Sequence, residues 1–457
     1  MSQLVLPTTL LAGQKGSRNS QCECGSGLRY KVCCGAIDGV LAPAILLESS
    51  KRAGLAAQLR SEFAESVGCY ETALRLEPLD FDVAHMRAVA LYQMGCMSES
   101  LDGFFQMLAA GHTMTRDAWH NFGLSLSSAV HLADDPVLLK KVAEYQRWNA
   151  ERQISHPDES PTVTVVLASY NHEKYIVEAI RSVLQQTRLP DELVVIDDGS
   201  TDGSPALIRQ ALIDAPFPTT LIFRENRGAA NTFNEAIGLS KSQWIAPLNS
   251  DDRFAPDRIE HMFNACCRKG IDWSFGRINV LDAQGTEASY EPNTRAHSLR
   301  GISSAGYLTP TAGMSFLLSN PAISTGNLFF RKTLWERLGG FRDWRYNHDW
   351  HFALEACLYA EPLRVASAVY EYRMHESNTI SENRQAATDE CTLMMRDVLL
   401  RYASFKPDES GNPFAPCPAV WRRAFYSTVG GAGFLEQFPE TALNLFAKNL
   451  LEAAPAC

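Results

Sequence analysis

The sequence predicts an α/β protein in which a mostly parallel sheet is flanked by helices and preceded by an all-α repeat region and a small cysteine-rich segment. Two observations predict the sheet. Beyond residue 161, apolar runs of strand length alternate with amphipathic segments of helical period, and several of these runs end in acidic residues. A third observation predicts the helices, since residues 45–150 have helical composition and a repeat of about 34 residues.

Length, charge and hydropathy limit the classes of protein. The chain has 457 residues, 46% of them hydrophobic, which is enough for two or three cores. Its formal net charge of -10 argues against a nucleic-acid partner, because such binding needs a basic surface. No run approaches the roughly 18 apolar residues of a membrane-spanning helix. We therefore expect a cytoplasmic protein, with a peripheral position at the inner face of the membrane as an option.

Four cysteines lie close together within residues 18–36, as C-x-C-G-S-G followed by C-C-G. They are Cys22, Cys24, Cys33 and Cys34. Four adjacent thiolates suit tetrahedral Zn²⁺, whose binding would stabilise a segment too short to hold a core. Reduced, unligated cysteines are the alternative. The pattern resembles the SEC-C motif, which implies a structural Zn²⁺ and an interaction role.

The repeat in residues 45–150 has three positions that recur about 34 residues later. They pair Ser66 with Ser100, Tyr70 with Phe104, and Ala73 with Met107. The pattern resembles the second helix of a tetratricopeptide repeat, and an irregular helical bundle is the alternative. Either arrangement offers a surface for a protein partner rather than a catalytic constellation.

The α/β part begins with the β-branched run "TVTVVLA" and the amphipathic segment "HEKYIVEAIRSVLQQT". Three further strands, "DELVVIDD", "TTLIFRE" and "SQWIAPLNSDD", alternate with helical segments. Ligands of open parallel sheets bind beyond the carboxyl ends of the strands. We therefore expect the acidic residues at these ends to converge on one crevice.

A crevice lined by carboxylates suits a nucleotide. Carboxylates accept hydrogen bonds from nucleobases and ribose, and they hold divalent cations that neutralise a diphosphate. The turn "ASYNHEKY" after the first strand contains no glycine. That absence argues against a dinucleotide-binding fingerprint, a P-loop and the glycine-rich loop of a nucleotidyltransferase.

Five segments follow one another along about residues 161–381. They begin at "VTVVLASYNHEKY", "ENRGAANTFNEAIG", "NLFFRKTLWERLGGF", "YNHDWHFALEACLYA" and "VYEYRMHESNTIS". Together, and in this order, they resemble the family 2 glycosyltransferases with the GT-A fold. The resemblance implies a GT-A domain over residues 161–385. It also implies a nucleotide-sugar donor, most simply a UDP-sugar, with Mn²⁺ or Mg²⁺ bound beside it and inversion at the sugar.

The resemblance implies that three residues contact the nucleotide base of the donor or organise the loops that bind it. Asp198 occupies the position that contacts the nucleotide base, and Asp197 beside it shapes the turn. Arg227 occupies a donor-binding or loop-organising position. From the residues alone, Asp198 could instead cap the helix that follows, and Arg227 could be structural.

The metal-binding D-x-D motif of the family is matched by Asn249, Ser250 and Asp251. Asp251 therefore corresponds to the carboxylate that ligates Mn²⁺ or Mg²⁺, while Asn249 replaces the first acid. Asp252 follows as an acid behind the metal or on the acceptor side. Loss of the first acid should weaken metal or ribose binding.

On the acceptor side, Asp349 matches the catalytic base of the family. This base removes the proton of the attacking hydroxyl. Its alternative role is to cap a helix. His348 replaces the customary glutamate and would tune Asp349 or contact the acceptor. His375 would contact the leaving diphosphate or the metal, or else be structural.

The remaining residues, 386–457, have helical composition and are predicted to pack on the rest of the protein, with a membrane surface as the alternative. The functional hypothesis is an inverting, metal-dependent glycosyltransferase whose N-terminal modules recruit an acceptor, a protein or a glycan, or another protein partner. Because of Asn249, the alternative is a scaffold with a degenerate nucleotide-sugar domain.

Overall fold

The computed structural model describes residues 43–129, 136–151, 161–304, 309–376, 378–379, 383–408, 411–435 and 443. These residues form two compact units, one up to residue 129 together with residues from 426, and one from 136 to 425. The four clustered cysteines lie outside the described residues, so their zinc site stays a prediction.

The first unit begins with five helices that pack in sequence along the chain. They are α1 (Pro43–Leu59), α2 (Phe63–Leu76), α3 (Phe81–Met94), α4 (Met97–Ala109) and α5 (Arg116–Ala129). The paired repeat positions on α2 and α4 are all buried. The helical repeat region is therefore confirmed, and its assignment to the tetratricopeptide type stays a prediction.

Helices α1 and α2 approach each other closely at Gly54. A Cβ atom there would lie 2.6 Å from Cε1 of Tyr70. That ring is buried, and its hydroxyl donates to Gln58 at 2.9 Å, so the ring has little freedom to move. We expect Gly54→Ala to lower the free energy of unfolding by about 1–3 kcal/mol in a denaturant titration, because it overpacks this contact.

The matched control is Gly68→Ala on the exposed side of α2, where an added Cβ would meet nothing within 4 Å. Alanine is the better helix former by about 1 kcal/mol, so this change should stabilise the unit slightly. Equal effects of the two substitutions would contradict the close approach at Gly54.

The second unit begins with α6 (Pro136–Glu151), which the sequence had placed at the end of the repeat region. Its centre is an eight-stranded sheet of order β3-β2-β1-β4-β7-β6-β8-β5. The strands are β1 (Val163–Ser169), β2 (Glu192–Asp197), β3 (Thr219–Phe223), β4 (Trp244–Asn249), β5 (Arg253–Phe254), β6 (Trp273–Leu281), β7 (Leu328–Arg331) and β8 (Leu363–Arg373).

The four strands predicted from the sequence form the parallel half of this sheet. Strand β1 pairs in parallel with β2 and β4, and β2 with β3. The connecting helices are α7 (Ile176–Leu184), α8 (Ser204–Ala211) and α9 (Ala229–Leu239). The other half is mixed, since β7 is antiparallel to β4 and β6, while β6 and β8 are parallel. The predicted α/β class is confirmed.

The register of the parallel half sets the position of the strand ends. Ser169 of β1 pairs with Asp197 of β2, and Ala168 pairs with Asn249 of β4. The first five residues of β1 are buried because helices cover both faces of the sheet. The carboxyl ends of β2, β1 and β4 therefore meet at one edge, as predicted.

The remaining described helices follow β5. They are α10 (Arg258–Lys269), α11 (Arg295–Ser304), α12 (Ala312–Ser315), α13 (Lys332–Leu338), α14 (His348–Tyr359), α15 (Arg384–Ser404), α16 (Pro418–Trp421) and α17 (Arg423–Gly431). Helix α15 packs on α14, where the Tyr402 hydroxyl donates to the Leu354 carbonyl at 2.5 Å. None of the helices in the described ranges is long and apolar enough to cross a bilayer.

Candidate functional site

The turn after β2 is held by Asp197. Its carboxylate accepts from the Ser200 backbone N–H at 2.9 Å, from the Ser200 hydroxyl at 2.7 Å and from the Ser169 hydroxyl at 3.1 Å. Gly199 lies between them with a φ of 82°, which glycine adopts without strain. Asp197 thus fixes the shape of this turn and is itself buried.

Asp198 is directed to a different loop. Its oxygens accept from the backbone N–H groups of Arg227 and Gly228, both at 2.9 Å, and form an ion pair with Arg224. The N–H of Ser204, at the start of α8, is instead bound by Asp202 at 3.0 Å. Asp198 therefore fixes the loop that precedes α9 rather than capping α8, and its contact with a nucleotide base stays a prediction.

The loops after β1 and β2 are joined by side chains. The side-chain Oδ1 of Asn171 accepts from the Thr201 N–H at 2.8 Å, and the backbone N–H of Asn171 donates to the Ser200 hydroxyl at 2.8 Å. Tyr170 precedes this junction and is 47% exposed at the strand edge. Nearby, the Arg227 side chain is 64% exposed, so it is accessible to a ligand.

Asp251 lies beside two histidines from distant parts of the chain. Its Oδ2 atom is 2.9 Å from Nε2 of His375 and 3.9 Å from Nε2 of His172. One ligand atom of each residue lies within 4.8 Å of the other two. Two imidazoles and one carboxylate so close together are a donor set that suits a divalent cation. The residues present therefore fit the metal that the sequence predicts at this edge.

The environment of Asp251 favours its ionised form. Burial alone would raise the Asp251 pKa, but His172 and a hydrogen bond from His375 hold that pKa below its ordinary value. The side-chain NH₂ group of Asn378 also donates weakly to Oδ2 of Asp251 at 3.5 Å, and its Oδ1 accepts from the His375 backbone N–H at 2.8 Å. This carboxylate is therefore kept charged, as a cation ligand must be.

Asp252 points away from this cluster into the protein. One oxygen accepts from the Tyr370 hydroxyl at 2.6 Å and the other from the Arg373 backbone N–H at 2.8 Å. The side chain is 1% exposed, and burial together with the Asp251 charge raises the Asp252 pKa well above its ordinary value. Asp252 connects the end of β4 to β8, and this position does not support the predicted substrate contact.

Asn249 is held by the same network. Its amide donates to the Ser324 hydroxyl at 2.8 Å and lies 3.4 Å from Asp252. Both interactions use the amide nitrogen, so this atom of the side chain is committed to protein partners. Asn249 therefore organises the junction between β4 and the segment before β7 in this structure.

The segment before β7 also reaches the predicted acceptor side. The Asn320 amide donates to Asp349 at 3.1 Å, and Thr325 shares a hydrogen bond of 2.9 Å with Nε2 of His348. Between them Ile323 has a φ of 69°, a strained conformation for a β-branched residue. Since Ser324 contacts Asn249, this segment joins the surroundings of the metal-side and acceptor-side residues.

Asp349 and His348 both lie in the first turn of α14. Burial raises the pKa of the Asp349 carboxyl, while the nearby His348 and the backbone N–H of Trp350 oppose that rise. The other ring nitrogen of His348 is 3.2 Å from the Trp344 carbonyl. Both nitrogens of His348 therefore have protein partners, which favours the prediction that it tunes Asp349 over direct contact with the acceptor.

The buried carboxyl of Glu361 connects α12 with the loop that contains Asn412. Glu361 accepts from the Gly313 N–H at 2.8 Å and from the Asn412 amide at 3.1 Å. Burial raises the pKa of Glu361 from 4.5 to about 7. The folded carboxyl therefore keeps its proton to a higher pH than the unfolded one, so folding takes up a proton between these two values. We expect the free energy of unfolding to fall by roughly 3 kcal/mol as the pH rises through this window.

Glu361→Gln should remove this part of the pH dependence, because an amide does not titrate. The measurement is denaturant unfolding at several pH values from about 4.5 to 8. Glu336→Gln, a similar change at an exposed position on α13, controls for the loss of one acid. If the free energy of unfolding changes with pH equally steeply in the native chain and in Glu361→Gln, the proposed protonation of Glu361 is wrong.

Several residues at the site were not identified from the sequence. His172 belongs to the segment "ASYNHEKY", and its place directly after β1 was a usable signal. Asn320, Ser324 and Thr325 lie in a loop without a recognisable pattern. Asn378 follows His375 closely, but nothing in the local sequence indicates that it contacts Asp251.

Comparison with known families identifies two segments of the chain. Residues 164–338 match the model of glycosyl transferase family 2, and residues 18–36 match the SEC-C motif. These are the two families that the motifs resemble, so both resemblances are confirmed.

Relatives of the chain cover its central part. Succinoglycan biosynthesis protein ExoO of Rhizobium meliloti is 38% identical over 128 residues, which are 28% of this chain and 36% of that protein. A putative teichuronic acid biosynthesis glycosyltransferase of Bacillus subtilis is 32% identical over 28% of this chain and 50% of its own length. The chain thus spans half or less of the length of these relatives.

Among solved structures, a mannosyltransferase of Pyrobaculum calidifontis is 19% identical, with a TM-score of 0.43, over 73% of this chain and 88% of that chain.

Proposed function

We propose that this chain transfers a sugar, with inversion, from a nucleotide-sugar to an acceptor hydroxyl. The reason is that residues 164–338 form a domain of glycosyl transferase family 2. The observation that carries the proposal is that one segment connects the end of β4, next to the cation-ligand cluster, with the buried Asp349. The segment before β7 hydrogen-bonds to Asn249 through Ser324 and to Asp349 through Asn320.

The donor side uses the loops after β1, β2 and β3. Asp197 and Asp198 hold two of these loops in place, and Asp198 keeps its predicted role beside the base as part of this proposal. Arg227 is exposed on the third loop and would contact the donor. Asp251 and His375 would hold Mn²⁺ or Mg²⁺. When bound, the cation neutralises the diphosphate of the donor.

The acceptor side uses Asp349. As the hydroxyl oxygen attacks the anomeric carbon, its proton passes to the Asp349 carboxylate, and the bond to the nucleotide diphosphate breaks on the opposite face. Asn320 donates to one carboxylate oxygen and so orients the group for this step. Attack opposite the leaving group gives an inverted product.

The N-terminal modules are proposed to recruit the acceptor or a partner protein. The SEC-C segment would bind Zn²⁺ through its four cysteines. The helices of the first unit present a repeat surface of the kind that binds proteins. The cytoplasmic location belongs to the same proposal.

The experiment is a panel of nucleotide-sugars tested with the full chain, with and without Mn²⁺. Calorimetry measures binding, and release of nucleoside diphosphate measures turnover. We expect one donor to bind in a cation-dependent way and to be hydrolysed slowly without an acceptor. The competing scaffold function is motivated by Asn249, and absence of binding by every donor would support it. Binding of a donor without any turnover would also contradict the enzymatic proposal.

A further inference from the structure

We propose that His172 is a third protein ligand of the donor-site cation, so that two imidazoles and one carboxylate select Co²⁺ and Mn²⁺ over Mg²⁺. The inference rests on the proposed function and extends it to cation selectivity. It concerns a residue of the loop after β1, whereas Asp251 follows β4 and His375 follows β8.

The hydrogen bonds of His172 leave one nitrogen available to a cation. Nδ1 lies 2.7 Å from the Ser250 hydroxyl, and Nε2 lies 3.9 Å from Oδ2 of Asp251. If Nδ1–H donates to Ser250, the lone pair of Nε2 faces the Asp251 carboxylate. Metal-bound histidines commonly have their second nitrogen fixed in this way by a hydrogen-bonding partner. Ser250 would therefore set the tautomer that ligation needs.

The backbone of His172 is fixed at both ends. Its N–H donates to the Ser204 hydroxyl at 3.1 Å, and its carbonyl accepts from the N–H groups of Tyr175 and Ile176, both at 2.9 Å. The ring lies edge-on to that of His375, with centroids 5.6 Å apart and planes at 84°. The imidazole is thus placed before any cation arrives, which reduces the entropy lost on binding.

The replacement at position 249 changes the charge of the site. The side chain of Asn249 adds no negative charge, and its amide nitrogen donates to Ser324 and Asp252. One carboxylate, Asp251, remains with two imidazole ligands. Mg²⁺ prefers oxygen ligands and retains its water, whereas imidazole nitrogen suits later divalent ions. A donor set of two imidazoles and one carboxylate therefore favours transition-metal ions.

The test measures cation binding in the presence of uridine diphosphate, separately from activity. The native chain, His172→Ala and His172→Gln are each first loaded with one equivalent of Zn²⁺ to fill the four-cysteine site. They are then titrated with Co²⁺, Mn²⁺ and Mg²⁺ by calorimetry, and the visible spectrum of the added Co²⁺ is recorded. His297→Ala, an exposed histidine of α11, is the matched control, and thermal unfolding checks that each variant folds. We expect at least about a tenfold loss of Co²⁺ affinity in both His172 variants, with a changed Co²⁺ spectrum.

The outcomes separate this inference from the proposed function. The native chain should bind Co²⁺ at least about tenfold more tightly than Mg²⁺, and the control should match it. Folded His172 variants that keep native Co²⁺ affinity and spectrum would overturn the ligand assignment while leaving the transferase proposal intact. Failure of the native chain to bind any of the three cations would overturn both.

Discussion

Asp349→Asn should lower the rate of sugar transfer by about 10²–10⁴-fold and leave donor affinity unchanged. The amide has nearly the same shape as the carboxylate but cannot accept the proton of the attacking hydroxyl. The comparison of transfer rate with donor affinity measured by calorimetry distinguishes loss of the base from loss of binding. Asp343→Asn, an exposed acid on the loop before α14, is the matched control and should retain native transfer.

The same substitution has a structural cost that the experiment must separate. Asn320 donates its amide to Asp349 at 3.1 Å, and its carbonyl oxygen accepts from the Ala322 N–H at 3.1 Å. If the asparagine introduced at 349 turned its NH₂ group toward the NH₂ group of Asn320, two hydrogen-bond donors would face each other. Thermal unfolding should therefore show a modest decrease in stability. Transfer near the native rate by the folded variant would contradict the assignment of the base.

The pH dependence of transfer gives an independent check on this residue. Burial raises the pKa of Asp349, and only its ionised form can act as a base. Transfer should therefore decline on acidification at a pH above that expected of an exposed aspartate. This acidic limb should be absent from the residual rate of Asp349→Asn.

The strand ends were predictable from the sequence because parallel strands joined by helices place their carboxyl ends at one edge. Asp197 and Asn249 both lie at that edge, as expected. The direction of each side chain was not predictable. Asp251 and Asp252 are adjacent, yet one faces the histidines and the other is buried against β8. Adjacent side chains diverge, and only the position of β8 decides which one enters the crevice.

The histidine cluster depends on contacts between distant parts of the chain. His172 and His375 come together because β8 enters the sheet next to β6 and β5, beyond the four strands with a clear alternating pattern. The local sequence around each histidine contains no information on this strand order. For the same reason, the loop containing Ser324 could not be connected with Asn249 before the structure was known.

Asp251→Asn should abolish cation-dependent donor binding, with a loss of about a hundredfold or more in donor affinity at saturating Mn²⁺. It removes the cluster's carboxylate while both histidines remain. Without that charge, the cation would be held by two neutral imidazoles and the donor diphosphate alone. Calorimetry of donor binding with and without Mn²⁺ measures the effect directly.

The adjacent residue provides the strongest comparison. Asp252→Asn changes the same chemical group one position away, but its side chain accepts from Tyr370 and Arg373 rather than facing the histidines. It should lower the free energy of unfolding by about 1–3 kcal/mol because buried donors lose an acceptor. Its folded fraction should still bind the donor in a Mn²⁺-dependent way. The two substitutions therefore separate a cation ligand from a structural carboxyl, and retained Mn²⁺-dependent binding in Asp251→Asn would contradict that division.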